Sequence, residues 1–179
     1  MRAARTVVAL LVVTALPHGL GAQAVPPSPP SRAQVIAAAV DVMQTARYAT
    51  LITIGDDGQP QARIVDAFAP ETNLAIWIAT NPVTRKVHEI QRDPRVTLLY
   101  FDATRFEYVT VLGKAELVAD SAEKARHWKE AWGGLYKDEN RGDDYVLIRV
   151  HPSRLEVVSP RHGLTNDPTT WRPVVVDLP

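Results

Sequence analysis

The chain has 179 residues, a length that fits one domain with its own core, and its 20 lysines and arginines balance 20 aspartates and glutamates. This neutral balance argues against a nucleic-acid partner or an acidic membrane surface. The absence of cysteine excludes disulfides, thiol catalysis and cysteine-ligated metal sites.

The first 24 residues have the pattern of a secretory signal peptide. Arg2 and Arg5 precede an apolar run at residues 7–16, and Ala22-Gln23-Ala24 forms a small-x-small cleavage site. The apolar run is shorter than the roughly 20 residues that a spanning helix needs. We therefore predict cleavage after Ala24 and a periplasmic or secreted protein with no membrane span after cleavage.

A proline-rich spacer and a helix follow the cleavage site. Residues 25–31 contain four prolines and predict an extended spacer. Ser31 and Gln34 have the spacing of a capping box, which predicts that a helix begins here. An apolar stripe at helical spacing supports this helix: Val35, Ala38, Ala39 and Val42.

From Tyr48 onward the apolar period changes to two, which predicts antiparallel strands. Asp56-Asp57-Gly58-Gln59 is a hairpin signal, Gly113 predicts a bulge, and His151-Pro152 predicts a bend between two strands. The predicted strands are residues 48–55, 60–69, 74–79, 95–102, 106–120, 144–150 and 154–158.

Two further helices interrupt these strands. A short helix is predicted to begin near Thr84 and to end before Asp93-Pro94, and a longer helix covers residues 120–136. Six or seven antiparallel strands with helices at their edges predict a mainly β fold, a closed or partly closed barrel. We assign residues 32–158 to this domain and residues 159–179 to a C-terminal tail.

The common catalytic signatures are absent from the sequence. It has no glycine-rich phosphate loop, no G-x-S-x-G and no H-E-x-x-H. The histidines after residue 24 lack ligand spacing, and the serines lack a neighbouring histidine and aspartate pattern. We therefore predict no metal site and name no catalytic residue.

The start of the second helix carries cations where carboxylates are usual. Arg85 and Lys86 follow Thr80, Asn81 and Thr84, and each cation at the positive end of a helix costs about 0.3–1 kcal/mol. A bound phosphate would offset this cost, because each charge-assisted hydrogen bond contributes about 1.5–3 kcal/mol. Solvated surface cations are the alternative, which this stretch alone favours.

Arg63 lies within a predicted strand and supports the phosphate interpretation. Alternation places it on the same face as Val65 and Ala67, where an inward guanidinium needs a partner. That partner could be the same anion. The alternative is an arginine on the solvent face of an edge strand.

Three segments in order carry a resemblance to a known family: "LITIGDDGQPQARIVDAF", "LAIWIATNPVTRKVHEIQRDPRVTLLYFD" and "YVTVLGKAELVAD". They resemble the split-barrel FMN-binding proteins, the group of pyridoxamine 5'-phosphate oxidase and the general stress protein 26-like oxidoreductases, over about residues 31–158. The resemblance implies an antiparallel split β-barrel and a homodimer with flavin at the subunit interface.

The resemblance also implies which residues contact the cofactor, FMN. The backbone of Arg63-Ile64-Val65 would run beside the isoalloxazine ring, and Tyr108 stands where the phosphate oxidases have a glutamine that contacts the flavin. The FMN phosphate would be held by Arg63, Thr80, Thr84, Arg85 and Lys86.

The function implied is an exported FMN-dependent oxidoreductase acting on an unidentified small-molecule substrate or electron donor. A non-catalytic flavin-, haem- or tetrapyrrole-binding protein on the same barrel remains the alternative, and a deazaflavin-dependent protein is a third. The tail "TTWRPVVVDLP" lacks the R-L-x-P-like motif of true pyridoxamine 5'-phosphate oxidases, and Asp177 would repel a substrate phosphate. We expect Trp171 to pack on the barrel, with coverage of the partner's flavin as the alternative.

Overall fold

The computed structural model describes residues 29–136 and 143–179. The predicted signal peptide and residues 25–28 of the spacer lie outside the described residues. Helix α1, Arg32–Ala46, begins with the predicted capping box, in which the Ser31 side chain accepts from the Gln34 amide and the Gln34 side chain accepts from the Ser31 amide. The predicted apolar stripe of α1 is buried against the sheet.

The described residues form seven strands, and every pairing between them is antiparallel. The order across the sheet is β2-β1-β4-β5-β6-β3, with β7 added to β6. The strands are β1 Tyr48–Ile54, β2 Pro60–Asp66, β3 Ile76–Thr80, β4 Arg95–Asp102, β5 Glu107–Val118, β6 Val146–Val158 and β7 Val174–Asp177.

The two ends of this sheet meet, which closes it into a barrel. Ala67 forms a bridge with Ile78, and the Phe68 amide donates to the Trp77 carbonyl at 2.9 Å. These contacts join the end of β2 to β3. Alternate residues of strands β1 to β6 fill the interior. The prediction of a mainly β barrel with flanking helices is confirmed.

The prediction of one helix over residues 120–136 is wrong. Helix α3 covers only Ser121–Arg126, where the Asp120 carboxylate caps the Ala122 and Glu123 amides, and a separate 3₁₀ turn covers Glu130–Trp132. The helix ends at His127, whose ring stacks on Trp77 with the ring centroids 4.3 Å apart and whose carbonyl accepts from the Tyr145 hydroxyl at 2.8 Å. The turn then buries Trp132 in a second aromatic cluster.

The predicted bend at His151-Pro152 is also wrong, because β6 continues through it as one 13-residue strand. The predicted bulge at Gly113 is confirmed in position, since the register between β5 and β6 shifts beside it. The additional residue is Ser153, on the facing strand. A Cβ at residue 113 would lie 2.3 Å from the His151 carbonyl oxygen, so the close approach requires glycine.

The C-terminal tail contributes β7 and packs on the barrel, with Val176 buried. Trp171 does not: it is 76% exposed, and the expectation that it packs on the barrel is wrong. The Asp167 carboxylate accepts from the Thr169 and Thr170 amides, and this turn holds Trp171 in solvent at φ +57°. Within residues 29–136 and 143–179, no helix is both long and apolar enough to cross a membrane.

Candidate functional site

Helix α2, Arg85–Arg92, lacks the acidic or capping side chain that is usual at the positive, N-terminal end of a helix. Thr84 has the extended geometry of an N-cap, but its hydroxyl donates to the Asn81 carbonyl at 2.8 Å instead of capping the helix. No other described side chain caps these amides, and the first turn has no acidic residue. The Val87 amide donates to the Thr84 carbonyl at 3.0 Å, whereas the amides of Arg85 and Lys86 have no acceptor among the described residues and are available to an external anion.

Lys86 extends from this first turn toward the end of β3. Its Nζ donates to Thr80 Oγ1 at 2.8 Å, and Thr80 Oγ1 lies 3.3 Å from Thr84 Oγ1. Thr80 is only 4% exposed. The ammonium group and two hydroxyls thus form one compact set of polar groups beside the helix start.

Arg63 lies on the inward side of β2, so the alternative of a solvent-facing arginine is wrong. Its side chain is 18% exposed, and its Nη1 donates to the hydroxyl of Thr53. Its Nη2 donates to Glu89 Oε2 at 2.9 Å. The partner of Arg63 in this structure is therefore a carboxylate of α2.

Glu89 is the residue of this cluster that sequence reasoning missed. Its side chain is 2% exposed, and Oε2 accepts from Thr53 Oγ1 at 2.5 Å as well as from Arg63. Oε1 lies 3.0 Å from Arg85 Nε as an ion pair, but takes no hydrogen bond from the described residues. The i,i+4 spacing from Arg85 was the available signal, but that spacing more often marks an exposed pair.

The cluster keeps an excess of positive charge. Within the described part of the chain, Arg63, Arg85 and Lys86 face a single carboxylate, that of Glu89, which leaves two net positive charges. Burial lowers the pKa of Lys86, the nearby Arg63 guanidinium lowers it further, and Glu89 opposes this shift. Burial and Arg63 both disfavour the charged form of Lys86, and a negative charge bound beside it would stabilise that form. The site therefore favours an anion.

The other three residues predicted to contact the flavin, Ile64, Val65 and Tyr108, lie outside this cluster. Ile64 is 68% exposed on the outer face of β2, whereas the Val65 side chain is buried in the barrel. Tyr108 is half-buried on β5, and β1 and β4 separate it from β2. At about 4.8 Å per strand this is too far for Tyr108 to join the Arg63 cluster within one subunit.

The outer face of β1, β4 and β5 carries apolar side chains among threonines and two cations, Arg95 and Lys114. Its apolar residues alternate with the core residues and are half-buried or exposed: Ile52, Ile54, Leu99, Phe101 and Leu112. A cavity of about 510 Å³ lies on this face, lined in part by Ile52, Ile54 and Leu112. An apolar surface of this kind on a barrel favours a partner or a ligand.

The structure also brings together a serine, a histidine and an aspartate that sequence reasoning did not connect. Ser159 Oγ lies 2.7 Å from His162 Nδ1, and His162 Nε2 lies 3.3 Å from Asp41. Ser159 is fully buried and donates to Glu107 at 2.7 Å, so no substrate reaches it. This network fastens the tail to α1 and is not a hydrolase site.

The family of the chain follows from a match over most of its barrel. Residues 35–159 match the family model described as pyridoxamine 5'-phosphate oxidase. The chain belongs to the pyridoxamine 5'-phosphate oxidase family. The suspected family is thereby confirmed, although no curated protein sequence is detectably similar to the chain.

Solved structures share the fold at low sequence identity. The general stress protein 26 of Bacillus anthracis is 20% identical, with a TM-score of 0.64 over 79% of this chain and 97% of that one. A pyridoxamine 5'-phosphate oxidase-related, FMN-binding protein of Nostoc punctiforme is 14% identical, with a TM-score of 0.55 over 80% and 95%. An F420 reductase is 21% identical, with a TM-score of 0.51 over 64% and 93%. The barrel is thus the split barrel of this family.

Proposed function

We propose that the protein is an exported FMN-dependent oxidoreductase that acts on a small molecule. The observation that carries this proposal is the half-buried cluster with two net positive charges at an uncapped helix start. The phosphate monoester of FMN carries close to two negative charges near neutral pH and would balance that excess. The family supports the proposal, and one structural neighbour is an FMN-binding protein.

The residues present fit a phosphate. Arg85 contacts Glu89 through Nε and its side chain is 65% exposed, and neither terminal nitrogen has a partner among the described residues, so both can bind a phosphate oxygen pair. Lys86, Thr80 and Thr84 would complete the site with the amides of Arg85 and Lys86. When bound, the flavin supplies the redox chemistry, and the protein binds it, orients the ring and excludes water.

We propose that two copies associate through the apolar outer face. This face includes the exposed Phe101, and association would bury it together with Ile64 on the neighbouring strand β2. Tyr108, too far from the cluster in its own subunit, would then contact the flavin of the partner. Sedimentation of the purified protein tests this, and a monomer at micromolar concentration would contradict it.

FMN is favoured over a deazaflavin by charge. A deazaflavin whose phosphate is a diester carries one negative charge at that phosphate. It would leave this cluster with one uncompensated cation. The structural likeness to an F420 reductase keeps the deazaflavin as the second candidate. A non-catalytic flavin-, haem- or tetrapyrrole-binding barrel is distinguished by reduction: bound flavin that no electron donor reduces would support it.

One purification tests the cofactor. We expect the protein to bind FMN and to show flavin absorption, with riboflavin binding at least tenfold weaker because it lacks the phosphate. Titration of each compound by flavin fluorescence measures the two dissociation constants. A colourless protein that binds no added FMN would exclude the proposal.

The preference for FMN should depend on pH through Lys86. The pKa of Lys86 lies below its ordinary 10.5, so the ammonium that would hold the phosphate is present at low pH and is lost as the pH rises through this lowered pKa. FMN affinity should therefore fall on the alkaline side while riboflavin affinity changes little. Lys86→Arg should flatten this decline, and a decline of equal size in Lys86→Arg would assign it to another group.

We also propose that the protein is exported, because residues 1–24 have the pattern of a signal peptide. Expression with a C-terminal tag, followed by fractionation and N-terminal sequencing, should recover a periplasmic or secreted chain that begins near Val25. A chain that keeps Met1 and stays in the cytoplasm would exclude export but would leave the FMN proposal intact.

A further inference from the structure

Glu89 occupies an unusual position for a carboxylate in a site that would bind an anion. The residue as a whole is 1% exposed, and its carboxylate contacts Arg63 through one oxygen and Arg85 through the other. Thr53, which is fully buried, donates to the same oxygen as Arg63. The carboxylate is therefore a fixed part of the site, built from β1, β2 and α2.

The contacts of Glu89 leave the terminal nitrogens of Arg85 without a partner among the described residues. It binds Arg85 through Nε only, and Lys86 has Thr80 as its hydrogen-bond partner. Oε1 of Glu89 accepts no hydrogen bond from residues 29–136 or 143–179, although it is buried. A buried carboxylate oxygen without a hydrogen bond is an energetic cost, which the charges of Arg63 and Arg85 offset.

We propose that Glu89 is an internal counter-ion of the phosphate site, which holds Arg63 and Arg85 in place when the site is empty and limits how tightly the site binds a phosphate. This inference rests on the proposed function, since it concerns the same site. Glu89 is a positioning residue, because it acts through the two arginines and does not contact the ligand.

The charges facing the site explain both effects. Arg63 of β2, Lys86 and Arg85 of α2 would repel one another in the empty site, and Glu89 reduces that repulsion. The same negative charge, in direct contact with the two arginines, would repel a phosphate bound to them, and its burial leaves that repulsion poorly screened. Loss of the charge should therefore lower the melting temperature of the flavin-free protein and raise its affinity for the phosphate dianion of FMN.

The test is Glu89→Gln, which keeps the shape of the side chain and removes its charge. We expect the melting temperature of the flavin-free protein to fall by several degrees, because Arg63 loses its buried counter-charge. We expect the ratio of FMN to riboflavin affinity at pH 6 to rise by about tenfold. The melting temperature gained on adding saturating FMN should be larger in Glu89→Gln than in the wild type.

A pH series adds a readout that a merely structural residue would not move. Glu89 raises the pKa of Lys86, whereas Arg63 and burial lower it. In Glu89→Gln the alkaline decline of FMN affinity should therefore begin at a lower pH than in the wild type. An unchanged affinity ratio and an unchanged pH profile would overturn the proposal.

Glu107→Gln is the matched control. Glu107 is also 1% exposed and also pairs with an arginine, Arg161, but it lies in the network that fastens the tail. Glu107→Gln should lower the melting temperature without changing the ratio of FMN to riboflavin affinity. If Glu89→Gln and Glu107→Gln change the ratio alike, a general loss of stability is the cause and the proposal fails.

Two outcomes keep this test separate from the proposed function. If the wild type binds FMN no better than riboflavin, the phosphate site itself is excluded. If the wild type prefers FMN and Glu89→Gln keeps the same preference, only the counter-ion role is excluded. Should Glu89→Gln fail to fold, Glu89→Asp retains the charge, and it is expected to keep the wild-type ratio; a tenfold rise in that variant would contradict the proposal.

Discussion

Replacing Arg85 and Lys86 together by alanine is expected to weaken FMN binding by about 10²–10⁴-fold, the largest effect on binding of any change proposed for this chain. Each cation would contribute a charge-assisted bond of about 1.5–3 kcal/mol to the phosphate, and both bonds are lost. Stability should change far less. Arg85 is mostly exposed, and removal of two cations from the positive end of α2 offsets part of the lost ion pair with Glu89.

Two measurements on the same variant separate binding from structure. Flavin fluorescence titration gives the dissociation constant, and thermal denaturation without flavin gives the melting temperature. Arg126→Ala with Arg172→Ala removes two exposed arginines outside the cluster and should leave FMN affinity within about twofold of the wild type. A loss of FMN binding matched by an equally large loss of stability would assign Arg85 and Lys86 a structural role.

The strands and the cation pair were predictable for different physical reasons. Alternation marks strands because one face of each is buried, and six strands of the barrel lie where that alternation places them, although their ends shift by a few residues. Arg85 and Lys86 were noticeable because they oppose the helix dipole. Both signals are local, since each depends on residues that are neighbours in the chain.

The parts that could not be predicted depend on contacts between distant residues. Glu89 looks like half of an exposed i,i+4 pair, and only the approach of β1 and β2, which bring Thr53 and Arg63, makes it a buried counter-ion. At the end of α3, His127 contacts Trp77, fifty residues earlier in the chain, and Tyr145, eighteen residues later. Propensity alone carries no information about such partners.

The continuity of β6 is a third case, and it depends on a single glycine. His151-Pro152 looks like a break, because proline removes a donor from a strand. Gly113 on β5 has no side chain, so the β6 backbone passes close to it, and the register shifts by one residue at that point. The barrel therefore keeps one long strand where two short ones were predicted.

Gly113→Ala should accordingly be among the most destabilising single substitutions in the chain. The added Cβ would lie 2.3 Å from the His151 carbonyl oxygen and 3.0 Å from its carbonyl carbon, and both are backbone atoms that no side-chain rotation can move. The β5–β6 pairing must open to admit the methyl group, at a cost of about 3 kcal/mol, or roughly 6–12 °C in melting temperature.

Gly134→Ala is the control for this prediction. An added Cβ there meets no described atom within 4 Å and its φ is not positive, so the substitution should be neutral or slightly stabilising. Thermal and urea denaturation of the two variants measure the difference. Because β6 also pairs with β3, which ends at Thr80, the opening should reach the phosphate site, and FMN affinity should fall together with stability in Gly113→Ala. Equal stability in the two variants would show that the strands separate at Gly113 without cost, and that the close approach does not hold β6 together.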